Sequence, residues 1–201
     1  MASRGFLGRR QSAEVQKRLP PGQYLVKDFP VLSAGPTPHT PLEQWSFTLE
    51  GLVASPVTWS WTEFLKLPTQ TFTVDINCVT KWTKFDTKWL GVSIDTLLEH
   101  VQLEAAGRYV MAFSDGDYTT NIPLAEMTNG QAFVAYQFGD EPLAAEHGGP
   151  ARLVVPHLYF WKSAKWIRGL RFLDHDEAGF WEALGYNMHG DPWKEERYSG
   201  D

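Results

Sequence analysis

The sequence predicts an α+β fold made mainly of β-strands and carried in one domain. Three observations lead there: about seven short segments alternate apolar and polar residues, the helical patterns are short, and no regular strand–helix alternation builds a parallel doubly wound sheet. A chain of 201 residues, 43% hydrophobic and 21% charged, is long enough to bury a sizeable core.

Residues 1–19 are rich in Arg and Lys and predict a flexible N-terminal arm, with the domain proper at 20–201. Arg9-Arg10-Gln11-Ser12 suggests a twin-arginine export signal, but the run continues into Ala-Glu-Val-Gln-Lys-Arg with no apolar stretch behind it. The expectation is a cytoplasmic protein. From Pro20 to Pro41, prolines and glycines alternate with Tyr24, Leu25, Val26, Phe29, Val31 and Leu32, which predicts an extended segment pinned across the domain surface.

Trp45 to Leu49 alternates and ends at Gly51, a strand. Ser60 and Glu63 have capping-box spacing before a short helix stopped by Pro68. Phe72, Val74, Ile76 and Cys78 alternate with polar neighbours, predicting a strand with Cys78 at its inner end. Residues 79–91 are polar and aromatic by turns and read as a loop around a pocket. Val92, Ile94, Leu97, Leu98 and Val101 predict an amphipathic helix over 93–101. Further strands are expected at 109–113, 118–122, 132–138, 151–155 and 166–173, with a short helix over 123–128. The tail after Gly179 has no helical period and is expected to wrap the domain, anchored by Trp181 and Trp193.

The net charge of −6 argues against nucleic acid or an anionic membrane as partner, and no apolar run reaches the ~18–20 residues of a membrane span. Cys78 is the only cysteine, so no internal disulfide is possible. Lys81, Lys84 and Lys88 give it an electropositive setting suited to a soft metal ligand or a nucleophile. A second constellation starts at His147-Gly148-Gly149-Pro150-Ala151-Arg152 and continues to Arg171. Residues 90–151 hold only Arg108, whereas Arg152, Lys162, Lys165, Arg168 and Arg171 follow closely, as a local anion site requires. Three functions accommodate these residues: a metal-dependent oxidoreductase, a thiol enzyme with Cys78 as nucleophile and His147 or His157 as base, and a non-catalytic aromatic-lined binding module.

Asp75-Ile76-Asn77-Cys78, then Trp89-Leu90-Gly91-Val92, then Glu146 to Pro156, then Lys162-Ser163-Ala164-Lys165-Trp166 resemble in order the molybdopterin-binding domain of the sulfite oxidase family. The resemblance covers most of residues 20–193. It implies a single sheet-rich domain holding molybdenum through a pyranopterin dithiolene and the Cys78 thiolate. It also implies an oxygen atom moved to or from a small substrate, an S-oxide, N-oxide or sulfite-like molecule, with an electron donor or acceptor yet to be identified. By position, Lys27, Asp28, Phe29, Ser114, Asp115, His147 and Arg152 contact the pterin, and Ser163, Ala164 and Lys165 cradle its phosphate. Sulfite-oxidising members carry Arg-Asn-His where this chain has Lys27-Asp28-Phe29, which places Lys27 at the catalytic arginine's position without its planar fork. Trp82 and Phe85 after the cysteine, and Tyr159, Phe160 and Trp161 after Pro156, are expected to rim the pocket and favour a neutral oxide.

Overall fold

A strand of twelve residues joins most of one sheet, and its neighbours explain how the cysteine is held. In the computed structural model, which describes residues 13–201, the elements up to it are α1 (Ala13–Arg18), β1 (Tyr24–Leu25), β2 (Ser46–Gly51), β3 (Val57–Ser60), α2 (Trp61–Phe64), β4 (Gln70–Asn77) and β5 (Trp82–Ser93). After it come α3 (Ile94–Leu98), β6 (Tyr109–Ser114), β7 (Thr119–Pro123), β8 (Phe133–Phe138), β9 (Glu141–Pro142), β10 (Arg152–Val154), β11 (Ile167–Leu173) and α4 (Phe180–Ala183). One sheet runs β1-β5-β8-β10, with β4 also on β5 and β9 also on β8; the other runs β3-β2-β11-β6-β7.

β5 is where the sequence reading fails, since 79–91 was expected to be a loop. The alternation of polar and aromatic residues is a strand's period two. Trp82, Thr87 and Trp89 are buried while Asp86 and Lys88 face solvent. Its buried threonines satisfy their hydroxyls locally, Thr83 donating to Asn77 Oδ1 at 2.7 Å and Thr87 to the Val74 carbonyl at 2.5 Å. The helix expected over 93–101 is shorter, Ile94–Leu98, with the Ser93 hydroxyl accepting from the Thr96 N–H at 3.0 Å. The 123–128 helix is a single 3-10 turn, Leu124–Glu126. The expected capping box is present, with Glu63 Oε2 accepting from the Ser60 N–H at 2.9 Å.

The first sheet separates two apolar cores. Val134 of β8 and Leu153 of β10 face the large core between the sheets, with Trp45, Phe47, Leu49, Ile167, Leu170 and Phe172. Phe133, Ala135 and Val154 face the opposite way, into a smaller core that contains Ile76, Cys78, Trp82, Trp89 and Phe160. The cysteine therefore lies in an apolar setting on the outer side of a sheet rather than in the main core.

Residues 1–12 of the expected arm lie outside the described residues. Residues 13–18 form a helical turn whose Arg18 reaches Asp75 at 2.6 Å and Asp86 at 2.7 Å, over the Phe85 ring. From Pro20 onward the segment is extended, and Tyr24 and Leu25 add a short parallel strand to β5. Of the two expected tail anchors, Trp181 is half-buried and stacks on Tyr186, but Trp193 differs. Trp193 is 53% exposed, while the buried carboxylate of Glu182 holds the tail through Lys162 at 2.7 Å, Trp161 Nε1 at 2.8 Å and Thr120 Oγ1 at 2.9 Å.

Candidate active site

Cys78 follows β4 directly, and the chain folds back over it. Its N–H donates to the Trp82 carbonyl at 2.8 Å, and its carbonyl accepts from Lys81 N–H at 3.0 Å and Gln23 Nε2 at 3.1 Å. Lys81 takes φ +76° to close this loop. The side chain is 8% exposed, and its sulfur accepts a hydrogen bond from Thr80 Oγ1 at 3.2 Å. Burial pushes the thiol pKa up, against the opposing pull of the Thr80 hydroxyl, the Thr80 and Val79 N–H groups and the charge of Lys165. Lys165, and not Lys81, Lys84 or Lys88, is thus the cation felt by the thiol. Lys88 pairs with Asp140 and Lys84 donates to the Lys27 carbonyl.

Cys78 opens onto a cavity of about 530 Å³, within the size range of cofactor sites. Arg152 and Lys165 also line it. The Arg152 guanidinium is 1% exposed and donates to the carbonyls of His147 and Ser163, both at 2.7 Å, with its face 4.1 Å from the Phe160 ring. Lys165 donates to the carbonyls of Leu32 at 2.7 Å and Glu146 at 2.6 Å. Among the described residues neither cation has a carboxylate partner. Two cations converging on one cavity without an ion-pair partner leave a desolvation cost that a bound anion would offset. Burial, with Arg152 adding to it, pushes the Lys165 pKa down to about 8. Gly148, at φ +108°, lets the two meet: a Cβ there would lie 3.0 Å from Lys165 Cα and 3.1 Å from Arg152 Cβ.

The fit to a molybdenum pyranopterin follows from these groups. Among the described residues no set of three or more His, Cys, Asp or Glu side chains converges to hold a metal, so a metal beside Cys78 needs ligands brought by an organic group. Buried polar atoms without partners, Ser114 Oγ, His147 Nδ1 and Trp82 Nε1, surround the same region. Phe29 stacks on the His147 ring at 3.9 Å. Arg152 and Lys165 suit a phosphate.

Of the expected site residues, Phe29, Cys78, Asp115, Arg152, Ser163 and Lys165 line the cavity. Lys27 and Asp28 are exposed and do not reach it; Lys27 contributes only its carbonyl, to Lys84. Ser114 and His147 sit behind the lining. Ser163 Oγ accepts from the Val155 N–H at 2.9 Å and the Ala164 carbonyl from the Leu153 N–H at 2.8 Å, so these two shape the turn that presents Lys165. Of the other clustered cations, Lys162 binds Glu182, Arg168 lies 3.5 Å from Asp115, and Arg171 pairs with Glu50. Trp82, Phe160 and Trp161 line the wall as expected; Phe85 and Tyr159 do not.

Sequence reasoning missed Thr80, Tyr118, Trp166, Trp181 and Tyr186, all in the lining. Tyr118 donates to the Trp161 carbonyl at 2.5 Å. Burial raises the Tyr186 pKa, and the charges of Tyr198 and Cys78 add to it, so the phenol stays protonated. A tail reached from the other end of the chain has no local signal that it would return to the cysteine.

Sulfate is a suitable probe of the anion subsite in cofactor-free protein, because its charge is constant at neutral and alkaline pH. Lys165 loses its proton as pH rises through about 8, so sulfate affinity should fall by up to about tenfold per pH unit above that point. Calorimetric titration from pH 7 to 9.5 checks this, and Lys165→Ala should flatten the profile.

Comparison with known proteins gives a consistent result. Residues 34–181 match the family described as oxidoreductase molybdopterin binding domain. The chain is 38% identical over 197 residues to the uncharacterized oxidoreductase YuiH of Bacillus subtilis, covering 98% of this chain and 100% of that one. It is 25% identical over 162 residues to the protein-methionine-sulfoxide reductase catalytic subunit MsrP of Ralstonia nicotianae, covering 73% of this chain and 49% of the reductase. Its fold superposes on the sulfane dehydrogenase SoxCD of Paracoccus pantotrophus with a TM-score of 0.63 at 18% identity, over 87% of this chain and 56% of that one. The chain thus spans about half the length of the latter two. It belongs to the oxidoreductase molybdopterin-binding domain family and is an enzyme of the sulfite oxidase type whose cofactor is molybdenum with molybdopterin.

Proposed function

We propose that this chain moves an oxygen atom to or from a small neutral oxide, with Cys78 as the protein ligand of the metal and an electron donor or acceptor still to be identified. The observation that carries this reading is the cavity itself, lined by one thiol, by two cations that have no carboxylate ion-pair partner among the described residues, and by aromatic rings. When bound, the cofactor supplies the two-electron change that accompanies oxygen transfer. The protein's part is to hold the phosphate with Arg152 and Lys165, fix the sulfur with the loop 78–82, and exclude water with Trp82, Phe160, Trp161, Trp166 and Trp181.

Substrate charge follows from counting the cations. Among the described residues, Arg152 and Lys165 are the only ones in the cavity lining, and both are committed to the cofactor in this assignment. Lys27, the positional counterpart of an oxyanion-binding arginine, does not line it. A carbon-substituted S-oxide or N-oxide can pack on the rings while its one polar oxygen points inward. Steady-state assays with dye electron donors and acceptors test the proposal. Reduction of a neutral oxide should exceed sulfite oxidation in kcat/KM; efficient sulfite oxidation with no neutral oxide reduced would overturn it.

The thiol-nucleophile alternative lacks its base. No histidine lines the cavity, and His157 is engaged with Glu126 at 2.8 Å. The raised thiol pKa also works against a free nucleophile. Among the described residues no helix is long and apolar enough to cross a membrane. Action in the cytoplasm remains part of the proposal.

A further inference from the structure

Thr80 is exposed and lines the cavity, yet its hydroxyl is turned onto sulfur, 3.2 Å from Cys78 Sγ. The loop 78–82 leaves little choice in this. The bonds Cys78 N–H to Trp82 carbonyl and Lys81 N–H to Cys78 carbonyl fix the backbone on both sides of Thr80, and a β-branched side chain has few χ1 positions. Cys78 belongs to a cluster of buried apolar side chains that includes Ile76, Trp82, Leu143 and Phe160, with Lys165 the cation whose charge reaches the thiol. In such a setting one hydroxyl dipole weighs heavily on the electron density of a thiolate.

We propose that Thr80 is a positioning residue that tunes the molybdenum through Cys78, by withdrawing charge from the thiolate and raising the midpoint potential of the bound metal. The inference rests on Cys78 being the metal's ligand. A hydrogen-bonded sulfur donates less to the metal, which favours the reduced form, as hydrogen bonds to ligating sulfurs do at other metal centres.

The test uses holoenzyme of wild type, Thr80→Val, which keeps the shape without the hydroxyl, Thr80→Ser, which keeps the hydroxyl, and Cys78→Ser. Redox titration is followed by the electron paramagnetic resonance of molybdenum(V). Thr80→Val should titrate at lower potential than wild type with altered g values, and Thr80→Ser should follow wild type. A Thr80→Val enzyme indistinguishable from wild type overturns the proposal, as does a Thr80→Ser enzyme shifted as far as the valine. The two failures separate cleanly. If Cys78→Ser also shows the wild-type signal, Cys78 is not the ligand; if it alone differs, the ligand assignment stands and only the role of Thr80 falls.

Discussion

Cys78→Ser should cost at least about a hundredfold in turnover while leaving the fold intact. Loss of a partner one shell out from a metal already costs about 10–100-fold, so loss of the protein ligand itself should cost no less. A hydroxyl is a poor match to a thiophilic metal, and nothing in the lining can replace the sulfur: no other cysteine exists in the chain, and no histidine reaches the cavity. The stability change should be small, about 1 kcal/mol, because the new hydroxyl is close to the old volume and Thr80 is placed to pair with it. Melting curves and steady-state rates measured on the same preparation check both halves. An active serine variant would remove Cys78 from the mechanism.

Lys162→Met should destabilise the chain by about 3–5 kcal/mol, since it strands a carboxylate in the interior. Lys162 and Glu182 are both fully buried and 2.7 Å apart. The ammonium also donates to Asn121 Oδ1 and the Asn121 carbonyl, both at 2.8 Å, and to the Met188 carbonyl at 2.7 Å. Glu182 Oε1 takes Trp161 and Thr120 as further donors, so one residue of the tail is bonded to β7 and to the turn before Lys165. For a chain of this size the melting temperature should fall by roughly 10 °C. The double variant Lys162→Met/Glu182→Leu should recover most of the loss, because a buried ion pair replaced whole by apolar groups is often neutral. Equal stability of wild type and Lys162→Met would show that the carboxylate finds water, and that the tail is looser than its contacts imply.

β4 was legible because its inward residues are apolar and its outward ones polar up to Asn77. β5, paired on both sides, was not. It buries threonines whose hydroxyls are satisfied by Asn77 and by a main-chain carbonyl, and sequence alone gives no sign that Thr83 faces inward while Lys84 does not. In the tail the misreading is confined to Trp193, for the converse reason. Trp193 looked like an anchor by its size, whereas the anchor is an acid, Glu182, whose burial depends on a lysine twenty residues away in sequence. At the site, the contrast between 90–151 and 152–171 did point to Arg152 and Lys165. It could not sort these from Lys162, Arg168 and Arg171, because the sorting depends on which cations meet a carboxylate in space. Thr80 and Tyr186 were invisible for a similar reason: each is an ordinary polar residue until the chain folds it into the cavity that Cys78 lines.

The central claim is that the cavity between Cys78 and the Arg152–Lys165 pair holds a molybdenum pyranopterin. Elemental analysis and pterin fluorescence of the purified chain, made in a molybdenum-replete host able to assemble the cofactor, test it most directly. The account predicts molybdenum and pterin in equal amounts, both approaching the amount of protein, and both reduced by Arg152→Ala. Folded wild-type protein from that host carrying neither molybdenum nor pterin would contradict it.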